Sequence, residues 1–140
     1  MARRGAGFTL LELMVVVAIL AVLVAVALPS YRDYQRQAHR TTALAALGRC
    51  AQGLERFHVE RLTYQDADLA QLCASQSPSQ EEVRYRLVLS DAGATGYTLT
   101  ANPVGAQAGD GALRLLASGV RYWDQDGDGV FEDHEVASQF

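Results

Sequence analysis

The sequence predicts an α+β fold in which one long N-terminal helix packs on a four-stranded antiparallel sheet. Three observations lead to this prediction. Residues 8–28 form an apolar run, and residues 31–57 repeat apolar side chains at steps of three and four. The second half of the chain holds short alternating runs separated by glycine-rich turns. A helix followed by an antiparallel meander accounts for all three.

The apolar run is long enough to cross a membrane. About 21 residues with a rise of about 1.5 Å each cover a bilayer core of about 30 Å. One carboxylate, Glu12, lies near the start of the run. A charge inside a membrane costs roughly 2.5–3.5 kcal/mol on insertion scales, so Glu12 is a candidate functional residue. The alternative is a plain single-pass anchor in which Glu12 reaches the headgroups.

We expect the helix to continue past Pro29 to about residue 59. Tyr31, Tyr34, Leu47 and Phe57 are among the apolar positions of its stripe, and the arginines lie mostly off that stripe. A proline inside a helix removes one hydrogen bond and clashes with the preceding turn. A kink or local melting is therefore expected at Pro29.

The rest of the chain predicts a loop and then the sheet. Residues 62–82 are polar and rich in turn-forming side chains, which predicts a loop. The sheet follows as alternating runs joined by glycine-containing turns. The predicted strands cover residues 83–89, 97–101, 112–117 and 120–123.

Composition sets the size and the charge of the folded part. The chain has 140 residues and a formal net charge of −4. After the first 30 residues, about 110 remain, which suffices for one small domain with its own core. The overall acidity argues against a dedicated nucleic-acid receptor.

The two cysteines, Cys50 and Cys73, predict a disulfide. An even pair in a small domain outside the cytoplasm is more often a disulfide than a metal or redox site. Such a bridge closes a loop of about 24 residues and stabilises by roughly 3 kcal/mol in the chain-entropy model. Two buried free thiols remain the alternative.

The first residues of the chain resemble a known family. Gly7, followed by Phe8-Thr-Leu-Leu-Glu-Leu-Met-Val-Val-Val-Ala-Ile-Leu, is similar to the N-terminus of type IV pilins and of the wider pilin and pseudopilin superfamily. The resemblance implies that a prepilin peptidase cuts after Gly7 and N-methylates Phe8. It also implies that Glu12 neutralises the N-terminal amine of a neighbouring subunit during assembly.

The resemblance extends to the architecture. It implies a leader peptide over residues 1–7, a transmembrane and assembly helix over 8–30 and a periplasmic or extracellular pilin domain over 31–140. The helix around Tyr31 and Tyr34 and the stretch from Gly96 also look like the minor pilin subgroup. The implied localisation is a single pass of the inner membrane before assembly and the extracellular pilus afterwards. The implied partners are other pilin subunits and the prepilin peptidase.

The C-terminus carries a calcium-loop pattern. Residues 124–135 fit the pattern D-x-[DN]-x-[DN]-G-x5-E at every defined position. Crowded carboxylates repel unless a hard cation neutralises them, and calcium takes six to eight oxygens. By position in the loop, the ligands are Asp124, Asp126, Asp128, the carbonyl of Val130, Glu132 and Glu135, and Gly129 makes the sharp turn.

This loop is not a full EF-hand, because a strand is predicted before it and too few residues follow it for a normal exiting helix. The alternative is a solvated acidic turn without an ion. Common type IV pilins close their terminal loop with a cysteine pair, and we hypothesise that calcium replaces that pair here. Major pseudopilins of type II secretion also bind calcium at this end.

The sequence contains no recognisable catalytic set, so we expect a structural protein and not an enzyme. The arginines of the amphipathic helix could contact DNA, but such arginines more often pair with neighbouring subunits or phospholipid headgroups. The predicted function is a minor pilin of a type IV pilus that supports adhesion, twitching motility or DNA uptake. The alternative is a type II secretion pseudopilin with a calcium-stabilised C-terminus.

Overall fold

The computed structural model describes residues 8–73, 75–77 and 82–136. The chain forms two compact units, Met1–Gln35 and Arg36–Phe140. The first unit contains the N-terminal part of the long helix. The second unit contains the C-terminal part of the same helix together with the sheet.

The long helix α1 spans Leu10–Arg61. It is continuous through Pro29, so the local melting expected there is not observed. The helix ends two residues later than predicted, because Leu62 adopts a left-handed conformation with φ 57°. Its N–H still donates to the carbonyl of His58 at 2.7 Å, which satisfies a terminal carbonyl of the helix.

The sheet is antiparallel, and each strand pairs with the next strand along the chain, which confirms the predicted meander. An additional two-residue strand at the edge makes five strands in the described residues, one more than the sequence predicted. The strands are β1 Gln76–Ser77, β2 Tyr85–Ser90, β3 Thr98–Pro103, β4 Leu113–Leu116 and β5 Arg121–Trp123.

Strand β1 lies inside the stretch that the sequence predicted as a loop. The N–H of Arg84 donates to the carbonyl of Ser77 at 3.0 Å, and the N–H of Leu87 donates to the carbonyl of Ser75 at 2.9 Å. A strand of two residues has no measurable alternation, so the pattern of the sequence could not identify it. The same stretch contains a short helix α2, Leu69–Leu72, with Asp68 as its N-cap.

The core lies between one face of α1 and one face of the sheet. Along β2 the buried side chains alternate with exposed ones, so that the inner face packs on the helix and the outer face meets solvent. The buried apolar side chains are Ala43, Ala46, Leu47, Cys50 and Leu54 of α1, Tyr64 and Leu69 after it, and Tyr85, Leu87, Tyr97, Leu99, Ala101, Leu113 and Leu115 of the sheet region.

A disulfide joins Cys50 of α1 to Cys73 at the end of α2. The predicted bridge is therefore confirmed, and the alternative of two free thiols is wrong. Gly53 lies one turn further along α1, where an added Cβ would come within 3.0 Å of the carbonyl oxygen of Leu72. The glycine, which weakens an isolated helix, thus permits the close approach of α2.

Gly111 permits a second close approach, between the turn before β4 and the residue that follows β5. Its φ is +81°, and a Cβ at this position would overlap the carbonyl oxygen of Asp124. Gly109 has a similar φ of +87°, but nothing lies within 4 Å of its Cβ position. Alanine at Gly109 would therefore cost only the free energy of a left-handed backbone, whereas alanine at Gly111 would add the free energy of crowding against Asp124.

We predict that Gly111→Ala destabilises the chain much more than Gly109→Ala does. Both variants lose about 1–2 kcal/mol of stability because alanine must adopt a left-handed conformation. Only Gly111→Ala must also displace the backbone of Asp124. Urea unfolding of the full chain in detergent, followed by the fluorescence of Trp123, measures the difference. Equal losses in the two variants would contradict the observed packing.

Candidate functional site

The candidate assembly residues lie at the N-terminal end of α1. Gly7 lies outside the described residues. Phe8 precedes the helix and is 79% exposed, and Glu12 lies in the first helical turn. The apolar side chains that follow Glu12 up to Leu28 are exposed as well.

One helix in the described residues, α1, is apolar and long enough to cross a membrane by length and composition. The 18 most apolar consecutive residues of this helix are not buried within the chain. An apolar surface of this kind requires a partner, either lipid or other protein.

Glu12 also takes part in the capping of α1. Thr9 precedes the first helical residue, and its Oγ1 accepts a hydrogen bond from the N–H of Glu12 at 3.2 Å. Thr9-Leu-Leu-Glu12 thus has the spacing of a capping box, in which a glutamate at the third helical position supports the start of the helix. The observed contribution of Glu12 to the cap is its backbone N–H, and the spacing also allows its side chain to support the start of the helix.

The acidic loop over residues 124–135 brings three of its predicted calcium ligands together. One carboxylate oxygen from each of Asp124, Asp126 and Asp128 lies within 4.8 Å of the others. Asp124 is only 3% exposed, and its two oxygens accept hydrogen bonds from the N–H groups of Gly127 at 2.8 Å and Gly129 at 3.2 Å. The loop backbone therefore wraps around the Asp124 carboxylate.

Glu135 closes the loop by binding its backbone. It is 4% exposed, and its Oε1 accepts from the N–H of Gln125 at 2.9 Å, while its Oε2 accepts from the N–H of Glu132 at 3.2 Å. Glu132 instead directs its Oε2 to Nδ1 of His134 at 3.1 Å. The structure thus brings the three aspartates together and places Glu132 and Glu135 in other contacts. As predicted, the loop follows a strand, β5.

Phe131 attaches the acidic loop to the outer face of the sheet. The guanidinium of Arg114 on β4 lies 3.6 Å from the centre of the Phe131 ring. The ring of Tyr122 on β5 meets Phe131 edge-on, with the ring centres 6.1 Å apart. The sequence pattern had assigned Phe131 no role, because a contact across separate strands leaves no periodic signal.

A buried carboxylate, Asp110, connects the helix to the sheet. Its side chain is 6% exposed and binds Arg40 of α1 through two hydrogen bonds, Nη2 to Oδ1 at 2.8 Å and Nε to Oδ2 at 3.1 Å. The hydroxyl of Tyr85 on β2 donates to Oδ2 at 2.7 Å. Nε2 of Gln107 also donates to Oδ2, at 2.8 Å. Four donated hydrogen bonds therefore satisfy this carboxylate.

The Asp110 cluster also reaches the last strand. The indole N–H of Trp123 on β5 donates to the backbone carbonyl of Asp110 at 2.7 Å. The guanidinium of Arg40 stacks 3.5 Å above the ring of Trp123. Arg40 consequently belongs to the interior of the domain. It is one of the helix arginines that the sequence analysis expected to contact partners.

The electrostatics of this cluster favour an ionised Asp110. Burial raises the pKa of this carboxyl, but the hydrogen bonds from Arg40, Tyr85 and Gln107 outweigh burial and lower the pKa below its usual value. Burial is also the main reason why the pKa of Tyr85 is raised, and the hydrogen bond to Asp110 adds to it. Tyr85 therefore stays protonated and serves as a donor.

A second cluster ties two loops to the end of α1. The hydroxyls of Tyr64 and Tyr97 donate to the two oxygens of Glu55, each at 3.1 Å. The N–H of Tyr64 donates to the carbonyl of Gly93 at 2.9 Å, and Nε2 of His58 lies 3.2 Å from the carbonyl of Ala94. The loops that follow α1 and β2 are therefore fixed to each other.

The N-terminal part of α1 is exposed and apolar and carries an acid in its first turn, and the C-terminal part of the same helix packs on an antiparallel meander. This combination defines a pilin-type filament subunit. Residues 29–113 match the model of the family of the type IV minor pilin ComP, a DNA uptake sequence receptor. This match covers more than half of the chain, so the chain belongs to that family. Residues 2–28 match the prokaryotic N-terminal methylation motif.

Curated relatives match a shorter part of the chain. A type IV major pilin protein, PilE1, of Neisseria gonorrhoeae is 55% identical over 38 residues, which cover 27% of this chain and 23% of the relative. A type IV major alpha-pilin of Moraxella bovis is 49% identical over 47 residues, which cover 32% of this chain and 30% of the relative. The aligned stretches thus span less than a third of either relative.

Proposed function

We propose that this protein is a minor pilin that enters a type IV pilus and takes part in DNA uptake, as a structural subunit and not as an enzyme. The observation that carries the proposal is the family match over residues 29–113, whose description names a DNA uptake sequence receptor. The formal net charge of −4 is a weak argument against a role in DNA uptake. Six of the 16 acidic residues belong to the single loop 124–135, so the charge is unevenly distributed.

We further propose that a prepilin peptidase removes residues 1–7 and that Phe8 becomes the N-methylated first residue. The methylation motif over residues 2–28 supports this step. The apolar helix then holds the subunit in the inner membrane, with its folded domain outside the cytoplasm, until the subunit is added to the filament. Adhesion and twitching motility remain predictions that follow from the pilus alone.

In the filament, Glu12 pairs with the N-terminal amine of a neighbouring subunit. A carboxylate among apolar helices needs an opposite charge within hydrogen-bonding distance, because its desolvation is otherwise uncompensated. The exposed position of Glu12 in the first turn of α1 leaves its carboxylate accessible to such a partner.

Two variants of Glu12 separate pairing from helix capping. We expect Glu12→Ala and Glu12→Gln to be cut after Gly7 yet both to enter pili poorly, because each lacks the charge. Glutamine retains the capping geometry. The measurement is the fraction of the subunit in sheared pili and DNA uptake, after each variant is expressed in a deletion strain. Replacing Gly7 should block cleavage itself.

Normal incorporation of Glu12→Gln would contradict charge pairing and leave capping as the role of this residue. The same deletion strain tests the alternative, a pseudopilin of type II secretion. Loss of DNA uptake with secretion intact supports the pilin. Loss of secretion with pili and DNA uptake intact would favour the pseudopilin.

We also propose that the loop 124–135 binds calcium. The carboxylates of Asp124, Asp126 and Asp128 already converge, and oxygen donors of this kind suit a hard cation. The carbonyl of Val130 and the side chains of Glu132 and Glu135 complete the proposed ligand set. Glu135 must share its oxygens with the two backbone N–H groups that it binds. A bound cation reduces the repulsion among the acidic side chains of the loop.

Calcium is expected to raise the melting temperature of the purified chain. Calcium at 100 times its Kd stabilises by about 2.7 kcal/mol. The paired variant Asp126→Asn with Asp128→Asn should lose this response, and the exposed Asp66→Asn should retain it. Isothermal titration at millimolar calcium provides the independent measurement. Absence of both heat and thermal shift in the unaltered chain would rule out the site.

A further inference from the structure

We propose that the disulfide between Cys50 and Cys73 is a redox-sensitive clasp that holds the edge strand β1 on the sheet. Reduction of the disulfide by a dithiol releases β1 and opens the edge of β2. The open edge then pairs with the β2 edge of a second copy of this chain. The clasp acts within the folded domain and does not depend on DNA uptake or on calcium.

Strand β1 is weakly held by its own contacts. It has two residues, and register places Gln76 opposite Arg86 and Ser77 opposite Tyr85. Ser77 is 2% exposed, and its Oγ has no hydrogen-bond partner in the described residues. Burial of a hydroxyl group without a partner opposes folding. The position of β1 on the sheet therefore needs support from outside the strand.

The disulfide provides this support. Cys50 lies in the core face of α1 and is 1% exposed, and Cys73 follows α2, three residues before Gln76. Three residues reach at most about 10 Å, so the bridge confines β1 to the neighbourhood of the sheet edge. Tyr64 and Leu69 are buried by themselves earlier in the same stretch. Loss of the bridge consequently releases mainly the residues that follow α2.

Strand β1 covers an edge that favours pairing. The N–H groups of Arg84 and Leu87 donate to the carbonyls of Ser77 and Ser75, at 3.0 and 2.9 Å. Residues 85–90, Tyr-Arg-Leu-Val-Leu-Ser, contain a single charge and neither proline nor glycine. Segments of this composition associate through their backbone when they form a free edge. A second copy presents the identical edge, and two such edges pair antiparallel about a two-fold axis.

Opening of the clasp is an ordinary thiol–disulfide exchange. A thiolate of the dithiol attacks the sulfur of Cys73, which is partly exposed, and Cys50 leaves as a thiolate and is protonated. The second thiol of the reductant then displaces Cys73 from the mixed disulfide. Two electrons and two protons pass from the dithiol to the two cysteines, and the reductant becomes a disulfide.

Hydrogen exchange of single amides tests the clasp. The variant carries Cys50→Ala and Cys73→Ala, and the full chain is measured in detergent micelles. We expect the amides of Arg84 and Leu87, which bind β1, to lose their protection. The amide of Val104 is the matched control, because it donates to the carbonyl of Arg84 at 2.8 Å and does not contact β1. Its protection should be unchanged.

Sedimentation of the same variant at increasing concentration tests the pairing, and we expect dimers that the unaltered chain does not form. Val88 is an exposed position of β2, and Val88→Lys places like charges opposite each other when two β2 edges pair. This substitution should abolish the dimer and leave the loss of protection in place. Thr100→Lys is the control, because Thr100 is the register partner of Val88 on the interior strand β3. It should leave the dimer intact.

Continued protection of Arg84 and Leu87 in the folded alanine variant would overturn the clasp. A chain that loses this protection but stays monomeric, or a dimer that survives Val88→Lys, would overturn the pairing of the edges. Loss of the dimer in Thr100→Lys as well would place the contact on the outer face of the sheet, and the proposal would be wrong. Adding dithiothreitol to the folded, unaltered chain gives the same readouts without relying on the alanine variant to fold.

Discussion

The ion pair between Arg40 and Asp110 organises the folded domain. Arg40 belongs to α1, and Asp110 lies in the turn before β4, 70 residues later in the chain. Tyr85 of β2 donates a hydrogen bond to the carboxylate of Asp110, and Trp123 of β5 donates one to its backbone carbonyl. A buried ion pair is stable only when its remaining polar groups are satisfied, and here each Asp110 side-chain oxygen is hydrogen-bonded. The sheet is therefore held on the helix by a polar contact as well as by apolar packing.

The position of the acidic loop follows from this arrangement. Trp123, bound to the carbonyl of Asp110, immediately precedes Asp124, so the loop starts at a fixed point. Gly111 allows the carbonyl of Asp124 to approach the turn that carries Asp110. Phe131 then returns to the outer face of the sheet. The interior cluster, the acidic loop and the outer face of the sheet are consequently linked through residues that contact one another.

The sequence predicted the helix, the four longer strands and the disulfide, because each has a local signal: periodicity, alternation or cysteine count. Asp110 belongs to a glycine-containing turn and Arg40 to the helix arginines that were expected to contact partners, so the sequence missed their contact with each other. Neither residue is unusual in its local context, and only the fold brings them together. The edge strand β1 was missed because two residues show no period. Asp124, Asp126 and Asp128 were found through their fixed spacing, whereas the backbone contacts of Glu135 depend on the folded loop.

The most direct test of this account is the pH dependence of stability in the unaltered chain and in Asp110→Asn. The folded pKa of Asp110 is lowered, so its contribution is complete above the unfolded value near 3.8 and is lost as the pH falls through the folded pKa. The account predicts that the variant is less stable by about 3–5 kcal/mol at pH 7. It also predicts that this difference shrinks towards pH 2. A difference that stays constant from pH 7 to pH 2 would show that the charge of Asp110 does not hold the sheet on the helix.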